Sequence, residues 1–265
     1  MTLRLTTWNI NSVRLRLPLL LRVMAELKPD VICLQEIKVE DALFPRAPIA
    51  AAGYPHQIVR GMKGYNGVAI LSRLPLDQGE DRNWVGREDS RHATAHLPGK
   101  IELHNFYVPA GGDIPDPVEN EKFAHKLGFL DEVTAWLGTA HKKSKRMILV
   151  GDLNIAPLEC DVWSHKQLLD VVSHTPVEVE KLGRMQETLG WVEAIRHFVA
   201  PPEKLYTWWS YRARDWAESD RGRRLDHVWV TPPLKTTLRR AEVLRAARGW
   251  TQPSDHVPVT VDLDP

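Results

Sequence analysis

The chain has 265 residues, 43% of them hydrophobic and 26% charged, which is enough apolar side chain for a sizeable core and excludes a disordered composition. Its two cysteines, Cys33 and Cys160, exclude a disulfide-built scaffold and a Cys-rich zinc module, and fit a reducing, cytoplasmic setting. The net charge of +1 hides a polarised chain: from Lys204 to Arg248, 11 Lys and Arg stand against 5 Asp and Glu, a local basic footprint suited to phosphate.

The N-terminal MTLRLTTWNIN has no basic region followed by a long apolar run, so no secretory leader is expected. No stretch approaches the roughly 20 apolar residues that span a bilayer, so no membrane partner is expected. In chain order, Leu3 to Asn9 alternates at a period near two and predicts a strand. Leu17, Leu20, Leu21, Met24 and Leu27 then mark one face of a helix, which Pro29 and Asp30 stop. Val31 to Leu34 is wholly apolar, as in a strand buried on both faces, and Gln35-Glu36 ends it.

Asn66 to Leu71 predicts a strand after the glycine-rich turn Gly61 to Gly67. Ala93 to Leu97 and Ile101 to Val108 predict a hairpin through Pro98-Gly99. Pro109 to Pro117 is a loop, and Phe123 to Leu137 an amphipathic helix. Lys142 to Arg146 is a solvated basic turn, then Met147 to Val150 a buried strand ending at Gly151-Asp152. A helix near Val179 to Leu189 follows, then strands at Trp208 to Tyr211, Asp226 to Val230 and Val257 to Leu263. No repeat, low-complexity segment or long linker divides the chain. It reads as one α+β domain over residues 1–265, with two packed sheets and helices outside; a doubly wound parallel sheet is the alternative.

Polar residues fall at the ends of these strands. Asn9, Glu36, Asp152 with Asn154, Asp226, and Asp255 with His256 each adjoin an apolar run. Strand ends at one rim of a sheet are rigid and accessible, as a catalytic constellation requires. Periodicity alone does not place these ends on one rim. Oxygen donors without clustered Cys or His suit Mg2+ or Mn2+ rather than zinc. Glu36 is the first candidate metal ligand, and Asp152, Asn154 and Asp255 add ligands or orient water. Asp226 beside His256 would fix an imidazole tautomer. Hydrolysis of a phosphate ester is the natural chemistry of such a set. Taken singly, each piece has a plainer reading: Gly151 to Asn154 as an Asx-type turn, Glu36 as a helix start, Ser254 to His256 as a cap.

Five segments, TWNIN from Thr7, LQEIK from Leu34, GDLNI from Gly151, LDH from Leu225 and SDHVP from Ser254, resemble in order the motifs of the endonuclease/exonuclease/phosphatase superfamily. With NFYVP from Asn105 and TWWSYR from Thr207, the chain is most similar to the bacterial exonuclease III and apurinic/apyrimidinic endonuclease branch. The resemblance spans about residue 3 to 263. It implies a four-layer α/β sandwich of two mixed sheets, with the site at one edge. It also implies a Mg2+-dependent repair nuclease, cutting duplex DNA 5′ to abasic sites and acting on 3′ ends.

Carried over by position, Glu36 is the principal metal ligand, with Asn9 and Asp255 near the ion. Asp152 positions or deprotonates the attacking water, with His256 the alternative acceptor of its proton; Asn154 holds the water and a phosphate oxygen, His256 contacts the phosphate, Asp226 orients His256, and Tyr107 lies against the phosphate or leaving group. Trp208, Trp209, Tyr211 and Arg212 are the expected DNA-facing residues. Lys63 in the glycine-rich loop and Trp250 before Ser254 are further candidates. Trp250 reads equally as a core residue, Trp208 and Trp209 have a core-facing strand as the lesser reading, and Lys63 lies in what is otherwise a hairpin turn. The segment from Asp161 to Val179 is short and lacks a dense basic cluster, which leaves the endonuclease and exonuclease shares open. A phosphodiesterase or phosphatase acting on RNA, lipid or a small molecule is the alternative. Nothing in the sequence demands a dimer.

Overall fold

The computed structural model describes residues 2–265. Two mixed six-stranded sheets pack face to face, an α+β architecture. The first runs β13 (Leu238–Val243), β14 (Val259–Leu263), β1 (Leu3–Asn9), β2 (Val31–Gln35), β4 (Val68–Ser72) and β3 (His56–Arg60). The second runs β5 (Asp77–Gln78), β6 (His92–Leu97), β7 (Ile101–Tyr107), β8 (Met147–Asp152), β12 (Asp226–Val230) and β9 (Val192–Glu193). A two-stranded ribbon, β10 (Trp208–Trp209) with β11 (Gly222–Arg223), stands apart.

Alternation sorts the apolar side chains into layers. Leu3, Leu5, Val31, Cys33, Val259 and Val261 of one sheet meet Ala95, Leu103, Ile148, Val150 and Val228 of the other in a central core. The opposite face of the first sheet packs on the helix Leu17–Leu27 through Leu20, Val23 and Met24. The outer face of the second packs on Glu121–Ala140 and Pro176–Thr188 through Phe129, Leu130, Leu182 and Met185. Each fully buried Leu, Ile or Val contributes roughly 1.5–3 kcal/mol, so the two flanking layers are as much part of the fold as the central one. Among the described residues, no helix is long and apolar enough to cross a membrane.

The predicted elements form, with adjustments at their ends; the last strand, expected from Val257, begins at Val259. The strand expected from Asn66 begins at Val68, because Asn66 and Gly67 take left-handed backbone (φ 44° and 84°) in the turn before it. The helix expected near Val179 begins at Pro176, where Thr175 and Glu178 close a capping box. The strand expected over Trp208 to Tyr211 is only the two residues Trp208–Trp209. Strands β3, β5, β9, β11 and β13 had no clear signal in the sequence. Four of them are edges of the six-stranded sheets, β5, β9 and β11 are only two residues long, and the exposed Arg239 and Arg240 of β13 interrupt its apolar alternation.

Strand direction gathers the polar ends. β1 and β2 are parallel, so Asn9 and Glu36 leave the sheet at the same side. β14 is antiparallel to β1, so its start, preceded by Asp255 and His256, returns to that side. In the second sheet β7 and β8 are parallel and bring Tyr107 opposite Asp152; antiparallel β12 sets Asp226 opposite Asp152. Gly151 makes this possible. Its φ is 141°, and a Cβ there would lie 1.8 Å from the Phe106 carbonyl oxygen.

Candidate active site

The rim residues form one hydrogen-bonded group. The Asn9 amide nitrogen donates to Glu36 Oε1 and to Asp152 Oδ2, both at 2.8 Å, which joins the two sheets. Tyr107 donates its hydroxyl to the same Glu36 oxygen at 2.8 Å. Burial, with the charges of Glu36 and Asp152, holds that phenol well above its usual range, so it remains a donor. Glu36 itself is left-handed (φ 50°), a strained conformation costing about 1–3 kcal/mol that turns its side chain out of the β2 line. Burial opposes its charge, yet Lys38 and the Asn9 amide hold its carboxyl below the usual range. Lys38 Nζ lies 2.7 Å from Glu36 Oε2.

His256 is the centre of charge. Its Nδ1 donates to Asp226 Oδ2 at 2.8 Å, and its Nε2 lies 3.6 Å from Asp152 Oδ2. Burial alone would lower its pKa, but Asp226, Asp152 and Asp255 raise it to about 10, so the ring is an imidazolium at neutral pH. Asp152 is the reverse case: burial, with Asp226 and Glu36 nearby, pushes it up to about 7 against the pull of His256. A carboxylate near 7 is matched to proton transfer at neutral pH. Asp152 Oδ1 accepts from the Asn154 backbone N–H at 2.9 Å, and the Asn154 side chain donates to Val108 O at 2.9 Å.

Asp255 accepts from Asn11 Nδ2 at 3.1 Å and from Trp208 Nε1 at 2.9 Å. Burial resists its charge, but His256 and those two donors keep its carboxyl below the usual range. The donor set fits a divalent cation. Carboxylate oxygens are hard ligands: Glu36 and Asp152 share the Asn9 amide, Glu36 and Asp255 both line the cleft, and Asp226 Oδ1 is buried with no partner. Asp152, Asp226 and His256 have ligand atoms within 4.8 Å of one another.

A cleft of about 1350 Å3 opens on this group and is lined by Glu36, Tyr107, Asn154, Asp255 and His256. Trp208 and Arg212 also line it, with Trp163, Arg221 and Arg223, which the sequence reading did not single out. Arg223 lies 5.2 Å over the Trp208 ring, and Arg221 4.7 Å over Trp163. Interleaved Arg and Trp across β10, β11 and the segment after Asp161 was the available signal. That short segment contributes Trp163 and Ser173 to the cleft wall rather than a basic loop.

Four expected contact residues stand elsewhere or are otherwise engaged. Trp209 borders the cleft but is only 2% exposed, packed with Tyr206, Ala247 and Val257 and bonded to Asp220, so its ring faces are spent on the core. Its immediate neighbour in a strand must face the other way, which is why Trp208 and Trp209 diverge. Trp250 packs against two core clusters, with Arg22 4.1 Å over its ring. The Tyr211 hydroxyl donates to Pro253 O at 2.8 Å, outside the cleft lining. Lys63 is exposed and likewise outside that lining.

Below the site, buried Lys126 donates to Asn154 O at 2.8 Å and lies 2.5 Å from Glu178 Oε1. This pins the backbone of Asn154 to the capped start of the helix Pro176–Thr188.

A family model described as "Endonuclease/Exonuclease/phosphatase family" matches residues 6–256. The chain belongs to this family. It is 28% identical to Exodeoxyribonuclease III of Haemophilus influenzae, covering 98% of this chain and 100% of that one. An AP endonuclease from Archaeoglobus fulgidus superposes with a TM-score of 0.92 at 32% identity, over 99% and 100% of the two chains. A 3′ phosphatase from Neisseria, solved with a product DNA hairpin, gives 0.88 at 29% identity, over 99% of each chain. Within the Endonuclease/Exonuclease/phosphatase family the chain falls in the exonuclease III and AP endonuclease branch, as a metal-dependent phosphodiester hydrolase.

Proposed function

We propose that this hydrolase cuts duplex DNA 5′ to abasic sites, leaving a 3′-hydroxyl, and also removes nucleotides or blocking groups from 3′ ends. The reading takes the chain as one nuclease domain acting as a monomer. The observation that carries it is the wall of the cleft: Trp208, backed by Arg223, stands beside His256 and Asp255. A stacking face next to cations holds nucleic-acid strands. The cleft, at about 1350 Å3, exceeds the roughly 300–1,000 Å3 usual for small-molecule pockets, which favours a polymer. An abasic sugar has lost its stacking and costs less to extrude towards such a wall than an intact nucleotide.

Glu36, with Asp255 and Asn9 around it, would hold Mg2+ (Mn2+ being the alternative), which supplies Lewis-acid charge at a phosphate oxygen. Asp152 takes the proton of the attacking water, and Asn154 positions that water. The imidazolium of His256, fixed by Asp226, offsets the charge that builds on phosphorus. Tyr107 orients Glu36 and lies against the phosphate. Arg212 and Trp208 hold the strand.

The test is a duplex carrying one abasic-site analogue, with Mg2+ and with EDTA, beside a duplex with a recessed 3′ end. Metal-dependent incision at the abasic site, lost in Glu36→Ala, is the expected result. The second duplex measures the exonuclease share. No cleavage of either duplex with Mg2+ or Mn2+ would overturn the reading in favour of RNA, lipid or small-molecule esters.

A further inference from the structure

The end of the second sheet remote from the cleft carries a second group of ligating side chains, which phosphodiester hydrolysis does not use. In the β6–β7 pair His96 stands opposite Glu102 and Thr94 opposite His104. Cross-strand partners share a face, here the face beneath the helix Glu121–Ala140. His141 follows that helix and closes edge-on against His104, with ring centroids 5.7 Å apart. Glu102 and Tyr107 are five residues apart on one strand, so the group lies about 16 Å from the rim site.

The spacing is that of a metal site. His104 Nε2 is 3.0 Å and His141 Nδ1 3.6 Å from Glu102 Oε1. His96 Nδ1 is 3.6 Å from Glu102 Oε2. Zinc bonds of roughly 2.0–2.1 Å in a tetrahedron set neighbouring donors about 3.3–3.4 Å apart. The two distances from Oε1 bracket that value; His96, whose side chain is 49% exposed, stands on the other oxygen and joins the set by turning its ring. No pair among the ligand atoms of Glu102, His104 and His141 exceeds 4.8 Å.

A cation already occupies part of this space. Lys145 Nζ lies 2.7 Å from Glu102 Oε2 and 3.5 Å from His141 Nδ1. The lysine side chain is 42% exposed while that of Glu102 is 9% exposed, so the ammonium can leave for water and the carboxylate cannot. The His141 Nε2 is buried without a hydrogen-bond partner, and its ring packs edge-on against Trp136.

The remote nitrogen of His104 is also provided for. Its Nδ1 lies 3.1 Å from His92 Nε2 and 3.2 Å from the Thr94 hydroxyl; His92 Nε2 is also 3.1 Å from that hydroxyl, whose own proton is directed to Glu80 O at 3.1 Å. That hydroxyl can accept from His104 Nδ1–H once Nε2 is committed to a metal, the arrangement by which ligating histidines are oriented.

We propose that Glu102, His104 and His141, joined by His96, form a Zn2+ site separate from the hydrolytic cleft. Three imidazoles and one carboxylate select a borderline ion over Mg2+. Binding displaces the Lys145 ammonium to solvent and shifts the His104 proton from Nε2 to Nδ1. All four donors come from protein, as in zinc sites that serve structure. The bound ion would tie the β6–β7 hairpin to the end of the long helix.

The test uses the full chain, stripped by chelator and titrated with Zn2+ against a chromophoric competitor under saturating Mg2+. Co2+ absorption and thermal unfolding are followed in parallel. Wild type is expected to bind one Zn2+ tightly, to show tetrahedral Co2+ bands, and to melt higher with Zn2+. His141→Gln, at the rim of the group, should weaken Zn2+ binding by about 100-fold or more and abolish both other signals. Its melting without zinc reports whether the fold is kept. Lys145→Met removes the competing ammonium and should tighten binding. Zinc affinity unchanged in both variants would place any bound zinc at the cleft and overturn the proposal. So would the absence of zinc binding in wild type.

Discussion

The two ends of the second sheet carry the same kinds of side chain in opposite charge states. At the cleft, one imidazole, His256, faces Asp226, Asp152 and Asp255, and they raise it to about 10 although burial works against its charge. At the far end, one carboxylate, Glu102, serves His104 and His141 and also Lys145. Burial prevails there: it lowers His104, and it takes His141 down to about 4 with His104 adding to the effect. Glu102 is held at about 2 by His104 and Lys145 despite its own burial. The ratio of carboxylate to imidazole, rather than burial, separates the two ends. The first arrangement stores a positive charge for a phosphate. The second keeps lone pairs on nitrogen, the form that binds a metal.

The sharpest way to break this comparison is to remove one histidine from each end. His256→Gln is expected to slow abasic-site incision by about 10²–10⁴-fold through lost charge stabilisation. His141→Gln is expected to leave that rate unchanged. Initial rates on one duplex substrate measure both. Equal losses would mean that the far end supports the cleft and is not independent of it.

The next effect is on the strand pair that connects the ends. Gly151→Ala forces a Cβ to within 1.8 Å of the Phe106 carbonyl oxygen. It should cost at least about 3 kcal/mol, read as a lower denaturant midpoint. A midpoint near wild type would show that β7 and β8 can separate without loss of the fold.

Smaller effects distinguish surface from core at the cleft end. Trp208→Ala should weaken DNA binding by about 1–3 kcal/mol, as loss of a stacking face does. Trp209→Ala should instead lower stability by roughly 3–5 kcal/mol. Titration of a labelled duplex and urea unfolding separate the two. Weaker binding in Trp209→Ala with full stability would reverse the assignment.

The smallest effect is in pH dependence, and its sign differs between the ends. The folded pKa of His256 is raised from 6.5 to about 10, so its stabilisation is complete below 6.5 and is lost as pH rises towards 10. That of His141 is depressed from 6.5 to about 4, so its stabilisation is present above 6.5 and is lost as pH falls towards 4. In metal-free protein His256→Gln should flatten the alkaline limb of a melting-temperature profile, and His141→Gln the acid limb. The same limb flattened by both would refute the contrast.

Much of the cleft end was legible because its residues interrupt apolar strands. Asn9, Glu36, Asp152, Asp226 and His256 each adjoin an apolar or alternating strand pattern, and their motifs carry the family resemblance. Trp163, Arg221 and Arg223 were not legible. They lie in short segments without periodicity and join the cleft only through the ribbon of β10 and β11 and the turns beside it. The far cluster was hidden for a different reason. His96, Glu102 and His104 look like the polar half of an ordinary hairpin, and His141 is distant in sequence.

The sequence by itself determined the central strands and the polar residues at their ends, because a period of two and a chain-breaking turn are local properties. It also determined the family, through motifs in a fixed order. Only the tertiary structure decided that those ends share one rim, since that depends on which strands pair and in which direction. It alone set Trp208 on the cleft and Trp209 in the core. It alone brought His141, at the end of a helix, onto a hairpin formed some forty residues earlier. Side-chain charge follows from these neighbours: the same imidazole is a cation beside three carboxylates and a neutral base where one carboxylate is shared.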